Sequence, residues 1–158
     1  MSPNKDETNS NYFCYTTYMR IYITSRFKGA PGNKKDIEKL CSAVRAAGME
    51  DFHFIRDVEH YESNFFSTPK ELWDAARRYI AECDAMLIDV SDSPSGGRLV
   101  EAGIAYALDK PIFIIVKKGV VYKDFYDGIA TSVIRYENVE DITEQLKSSR
   151  NASTTPSP

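Results

Sequence analysis

Residues 85–116 read AMLIDVSDSPSGGRLVEAGIAYALDKPIFIIV. Two near-continuous apolar runs, 85–90 and 112–116, flank a segment that turns at Pro94 and stays apolar or small from Val100 to Leu108. Such runs read as strands buried on both faces, and the segment between them as a helix buried against the same sheet. A helix in that position joins two parallel strands by a right-handed crossover.

Moving outward, the alternation repeats. Runs 20–25 (RIYITS), 52–56 (FHFIR) and 133–136 (VIRY) bring the predicted strands to five. Ile37, Leu40, Cys41 and Val44 recur at i, i+3, i+4 and i+7, and Leu72, Ala76, Tyr79, Ile80 and Cys83 keep a similar stripe, so each segment predicts a helix with one buried face. Gly48 is placed to stop the first of them, and 139–146 gives a weaker final helix. The pattern predicts an α/β fold of the doubly wound Rossmann or flavodoxin-like class, a five-stranded parallel sheet with helices on both faces.

At 158 residues the chain fits one domain, spanning 19–147. Residues 1–18 read as a mostly polar N-terminal tail, and 148–158, rich in Ser, Thr, Pro and Asn, as a disordered C-terminal tail. The Asn151-Ala152-Ser153 sequon falls within that tail. Hydrophobic residues make up 42% and charged ones 27%, near the globular average, and no apolar run approaches a bilayer span. The start of the chain has no basic stretch followed by an apolar one, so the expectation is a cytoplasmic protein, with the nucleus as the other compartment.

Twenty basic against twenty-three acidic side chains give a net charge of -3, which argues against a duplex nucleic-acid partner and leaves room for one small anion. Cys14, Cys41 and Cys83 are odd in number and lack a CxxC spacing, which argues against disulfides and zinc. Cys41 and Cys83 lie on apolar stripes and read as buried small hydrophobes. His53 and His60 are too few for a metal constellation, so no metal and no cofactor is expected.

In this fold class ligands gather at the carboxyl ends of the strands, so the segments 24–32 and 89–98 are the candidate site loops. Pro94 delays the helix, Ser95 can cap it, and Gly96 and Gly97 let a ligand approach free amides at a positive helix end. GxGxxG and GxxxxGK[ST] are both missing, so the implied anion is one phosphate or a carboxylate. Glu101 is the lone acid inside the apolar run 99–108; it is either the reactive carboxylate of the site or a solvated glutamate near the helix start.

The order IYITS, CDAMLIDVSD and PSGGRLVEAGIAYALDKPIFIIV resembles the nucleoside 2-deoxyribosyltransferase superfamily, nearest in motif to its 2'-deoxynucleoside 5'-phosphate N-hydrolase branch, over residues 20–146. The resemblance implies cleavage of an N-glycosidic bond, with Glu101 as nucleophile and Tyr22 beside the sugar. Ser95, in place of the transferases' aspartate, implies contact with a 5'-phosphate, together with Gly96, Gly97, Ser25 and Arg26. Asp89 is a candidate for orienting the sugar or base. The family acid of the helix before strand three falls at Ala76, so the nearest substitute is Asp74, for which a solvated helix face is the competing reading. The aromatic segment 57–68 and Trp73 read as a lid or a dimer contact. The resemblance also implies a homodimer or larger homo-oligomer, with Lys117 in the region that completes a neighbour's site. The implied activity is hydrolysis of (2'-deoxy)nucleoside 5'-monophosphates. The alternatives are base exchange between deoxynucleosides, phosphoribohydrolase chemistry, and a non-catalytic nucleotide-binding module.

Overall fold

The structure is a computed structural model, and it describes residues 18–29 and 32–153. The predictions for residues 1–17, Cys14 included, and for 154–158 lie outside the described residues. Strands β1 (Arg20–Thr24), β2 (Glu50–His53), β3 (Ala85–Asp89), β4 (Ile112–Lys117) and β5 (Ser132–Tyr136) form one sheet of order β2-β1-β3-β4-β5. Every pairing is parallel, so the expected doubly wound sheet is present, in the flavodoxin-like order. The order reverses between β1 and β3, which opens a crevice at their carboxyl ends.

Period-two alternation sorts the strand side chains into two cores. Ile21, Ile23, Ala85, Leu87, Phe113 and Ile115 meet helices α1 (Lys34–Ala46) and α5 (Val139–Ser153) on one face. Tyr22, Met86, Ile88, Ile112, Ile114 and Val116 meet α3 (Pro69–Glu82) and α4 (Gly96–Ala107) on the other. Thr24 shares the parity of Tyr22, so both side chains point toward α4. Helix α3 starts at a capping box of Thr68 and Glu71 with Pro69 in its first turn. Gly48 ends α1 at φ +78, where a side chain would also collide with Arg150.

Three expectations need correction. Strand β2 ends at His53, and Phe54–Asp57 winds into a single helical turn, α2, in place of strand 52–56. The Asp57 carboxylate accepts the His53 N–H at 2.9 Å, and Arg56 pairs with both Asp51 and Asp57, which curls the chain back on itself. Helix α4 buries only Arg98, Ala102 and Ala105, while Leu99, Val100, Tyr106 and Leu108 face outward. Small residues let that helix approach the sheet closely, so its larger apolar side chains lie on the opposite side. Helix α5 runs on through residues 148–153, expected to be tail: the Ser148 and Ser149 hydroxyls donate to carbonyls one turn back, and Arg150 donates to the Gly48 carbonyl. The loop 58–68 is tied to the body of the domain, with Tyr61 against Phe27 and donating to Glu38 at 2.7 Å, and Phe66 stacked on Phe54.

Among the described residues no helix is long and apolar enough to cross a membrane. Cys41 and Cys83 are buried, and burial pushes their thiols up to about 12 and about 11, which leaves them unreactive.

Candidate active site

Glu101 sits in the second turn of α4 and reaches across to the end of β1. The Tyr22 hydroxyl donates to its Oε1 at 2.7 Å and the Thr24 hydroxyl to its Oε2 at 2.5 Å. Both oxygens are therefore held by groups fixed in the central strand, and the carboxylate lies on the wall of a cavity of about 240 Å³. Burial pushes the Glu101 carboxyl above its ordinary range, and nearby Glu59 adds to that push; the hydroxyls of Thr24 and Tyr22 and the cation of Arg98 pull the other way. Burial and the Glu101 charge push the Tyr22 phenol well above its usual value, so it remains a donor.

Ser95 precedes α4 but does not cap it, which corrects one expectation. Its hydroxyl accepts from Arg98 Nε at 3.1 Å, and α4 has no side-chain cap. The first amides of α4 are thereby left for a ligand, and Gly97 brings that backbone to the cavity wall. A Cβ at Gly97 would meet no atom of the protein, so the space beside it is open.

Arg98 is 3% exposed and donates from all three guanidinium nitrogens: to Ser95, to the carbonyls of Asp89 and Ser93, and to that of Asp92 at 3.5 Å. Among the described residues no carboxylate stands within ion-pair distance of it. The loop after β3 is thus wrapped around a buried cation that lacks a counter-ion and lines the cavity.

A family model for nucleoside 2-deoxyribosyltransferases matches residues 21–146. The chain belongs to that family. Its members are enzymes, so the cavity around Glu101 is the candidate active site of a nucleoside 2-deoxyribosyltransferase-family protein. Solved structures share the fold. The CMP N-glycosidase BcmB of Clostridium botulinum is 21% identical, with 82% of this chain and 98% of that one covered and a TM-score of 0.60. A 2-deoxyribosyltransferase from Bacillus psychrosaccharolyticus is 19% identical, with 80% and 95% covered and a TM-score of 0.62. No curated protein sequence matches the chain significantly.

Within this family fold, the structure brings only some of the expected residues together. Tyr22 touches Glu101, and Ser25, Ser95 and Gly97 line the same cavity. Gly96 opens α4 outside the cavity wall. Arg26, Asp89 and Lys117 line a neighbouring cleft of about 830 Å³, which meets the first cavity at Ser25. Arg26 donates to Ser93, and the Asp89 carboxylate accepts from its own turn at Ser91, with burial pushing its pKa up. Asp74 must be corrected: it is paired with Lys70 on the exposed face of α3 and lines no part of the cavity. Leu72 and Trp73 are the residues α3 presents there, and Asp74 is rotated away by one helical step.

Four residues around the cavity were not nominated from the sequence. Thr24 shares a strand face with Tyr22, a signal present in the alternation itself. Arg98 is a cation in a first helical turn, where the dipole disfavours one, and that misfit was the signal. Glu59 lies in a loop and gives none. His53, weighed in the sequence as a metal ligand, lines the cavity with Nε2 3.0 Å from the Ser25 hydroxyl, and its buried Nδ1 has no partner among the described residues.

Burial, with help from Arg56, lowers the His53 pKa from 6.5 to about 4, so the ring is neutral at neutral pH. The unfolded chain takes up this proton near pH 6.5 and the folded chain only near 4, so His53 removes stability as pH falls through that window. The expected loss is up to about 3 kcal/mol, one pKa unit being about 1.4 kcal/mol. Urea midpoints of the wild type and His53→Gln should diverge between these pH values, and parallel curves would refute the assignment.

Proposed function

We propose that the protein hydrolyses the N-glycosidic bond of (2'-deoxy)nucleoside 5'-monophosphates, releasing the free base and the sugar 5-phosphate. The observation that carries this reading is the buried Arg98 without a counter-ion, placed with uncapped α4 amides on the cavity that holds Glu101. A phosphate monoester supplies the missing negative charge and accepts from the amides, whereas an unphosphorylated nucleoside leaves both unsatisfied. Ser95 and Ser25 add hydroxyls at the same opening.

With the phosphate at the start of α4, the sugar lies over Glu101 one turn further on. Breaking the C1'–N bond develops positive charge at C1', which the ionised carboxylate meets and traps as an ester. Tyr22 and Thr24 keep the carboxylate from swinging away, so little orientation is lost on attack. Water then releases the sugar phosphate. On this reading water takes the place that a second base would need in a base exchanger.

The test is free-base release from a panel of ribo- and deoxyribonucleoside 5'-monophosphates and their unphosphorylated nucleosides, with and without an acceptor base. The expected result is release from monophosphates that needs no acceptor. A new nucleoside appearing only with acceptor would establish exchange, and tight binding without turnover would establish a non-catalytic module.

A further inference from the structure

We infer that Glu59 is the acid–base partner of Glu101: it protonates the departing nucleobase and then takes a proton from the water that frees the sugar. This deepens the N-glycosidase reading and rests on it.

A nucleobase leaves poorly as an anion, so the site must hold a proton donor, and helix α3 offers none. Ala76 is apolar and buried, and Asp74 faces solvent in its pair with Lys70. On the cavity, Arg98 is spent on carbonyls and Ser95, and Tyr22, buried behind Glu101, donates to that carboxylate. His53 is deprotonated at neutral pH and engaged with Ser25. Glu59 remains. It lines the same cavity as Glu101, and its carboxyl has no hydrogen-bond or ion-pair partner among the described residues. Burial raises its pKa, the direction a general acid needs.

The backbone holds Glu59 in place from both sides. Val58 before it is packed in the core beside α3, and the Glu59 carbonyl accepts from Glu62 at 2.8 Å. The next two residues, His60 and Tyr61, both take left-handed conformations at φ 51 and 64, unusual for consecutive non-glycine residues. The Tyr61 amide donates to the Ile55 carbonyl at 2.8 Å and its hydroxyl to Glu38, so that reversal is fixed. Strain of this kind persists where the surroundings over-determine it, and here it fixes the direction in which the chain leaves Glu59.

The proton balance closes over two steps. As a Glu101 oxygen bonds to C1', the C1'–N bond breaks, its electron pair stays with the base, and the base takes the Glu59 proton. Glu101 is now a neutral ester, and loss of its charge makes Glu59 more acidic, so the Glu59 carboxylate persists. Water gives it a proton while the water oxygen bonds to C1', and the ester electron pair returns to Glu101.

The experiment compares wild type, Glu59→Gln, Glu59→Asp and Glu101→Gln on a nucleotide substrate and on 4-nitrophenyl 2-deoxyribofuranoside 5-phosphate, whose leaving group needs no proton. For Glu59→Gln, base release should fall by about 10²–10⁴-fold, the usual scale of general acid catalysis. The first burst of nitrophenolate should stay near wild type, with azide restoring turnover as the glycosyl azide. Glu59→Asp, which keeps a proton, should recover part of the base release. An equal loss on both leaving groups, or undiminished base release, would overturn the role of Glu59. Glu101→Gln tests the underlying reading separately, since it should lose both leaving groups. If wild type releases neither base nor nitrophenolate, the N-glycosidase reading falls and the Glu59 role with it.

Discussion

Glu101→Gln should abolish base release, by roughly 10⁴-fold or more if it behaves like the deletion of other covalent nucleophiles, while making the folded protein more stable. The two effects share one cause. Burial pushes the Glu101 carboxyl above its ordinary 4.5, so the folded protein binds this proton more tightly than the unfolded chain does. Between 4.5 and the raised value, stability therefore falls as pH rises, and at neutral pH the ionised group is a net cost to the fold. Glutamine keeps the shape and removes the charge. Its amide still meets the Tyr22 and Thr24 hydroxyls, which can rotate to suit it. Thermal melts at pH 7 should show a higher midpoint for Glu101→Gln, and the gap should shrink as the pH is lowered toward 4.5. A midpoint below wild type would mean that the carboxylate supports the structure and is not held there at a cost. Retained base release would remove Glu101 from the chemistry.

That trade also explains how much of the site was legible in the sequence. A lone acid in an apolar helix conflicts with local rules of burial, and such conflicts are where function is expected to show. Glu101 and the two glycines before it were visible for that reason. The fold was legible because five apolar runs and two helical stripes agree with one another and with a parallel sheet. Helix α4 misled because an all-round apolar run does not reveal which side meets the sheet; Ala102 and Ala105, being small, take that place and leave Leu99 and Tyr106 outside.

Residues that converge from loops were the least readable. The end of β2 depends on ion pairs between Arg56 and the carboxylates of Asp51 and Asp57, which no periodicity encodes. With β2 ending at His53 instead of Arg56, the next segment curls under the sheet edge and carries Glu59 to the cavity. The position of Asp74 follows from helix phase: Trp73 and Ala76 face inward, so the residue after Trp73 faces out.

Arg98→Met should cost the fold about 2–4 kcal/mol, a range set by two opposing terms. Methionine fills a comparable apolar volume but leaves the carbonyls of Asp89, Asp92 and Ser93 without the donors that gather them. Hydrogen bonds to a charged group are worth about 1.5–3 kcal/mol each, yet a buried cation without a counter-ion carries a desolvation cost that its removal returns. The loss is therefore smaller than the sum of the bonds, and the loop 89–95 loosens without the sheet unfolding. Urea titration should show a lower midpoint at an unchanged slope, because the area exposed on unfolding is the same. The same substitution should weaken the preference for a 5'-phosphate by about 10-fold, because the buried positive charge beside the phosphate is lost even though its nitrogens stay bonded to the loop. Arg98→Lys separates the two functions of the side chain. Lysine keeps the charge but not the planar fork, so it should retain part of the phosphate preference while failing to hold the three carbonyls. If both variants keep the wild-type ratio of monophosphate to nucleoside turnover, the cation serves only the loop and the phosphate reading loses its main support.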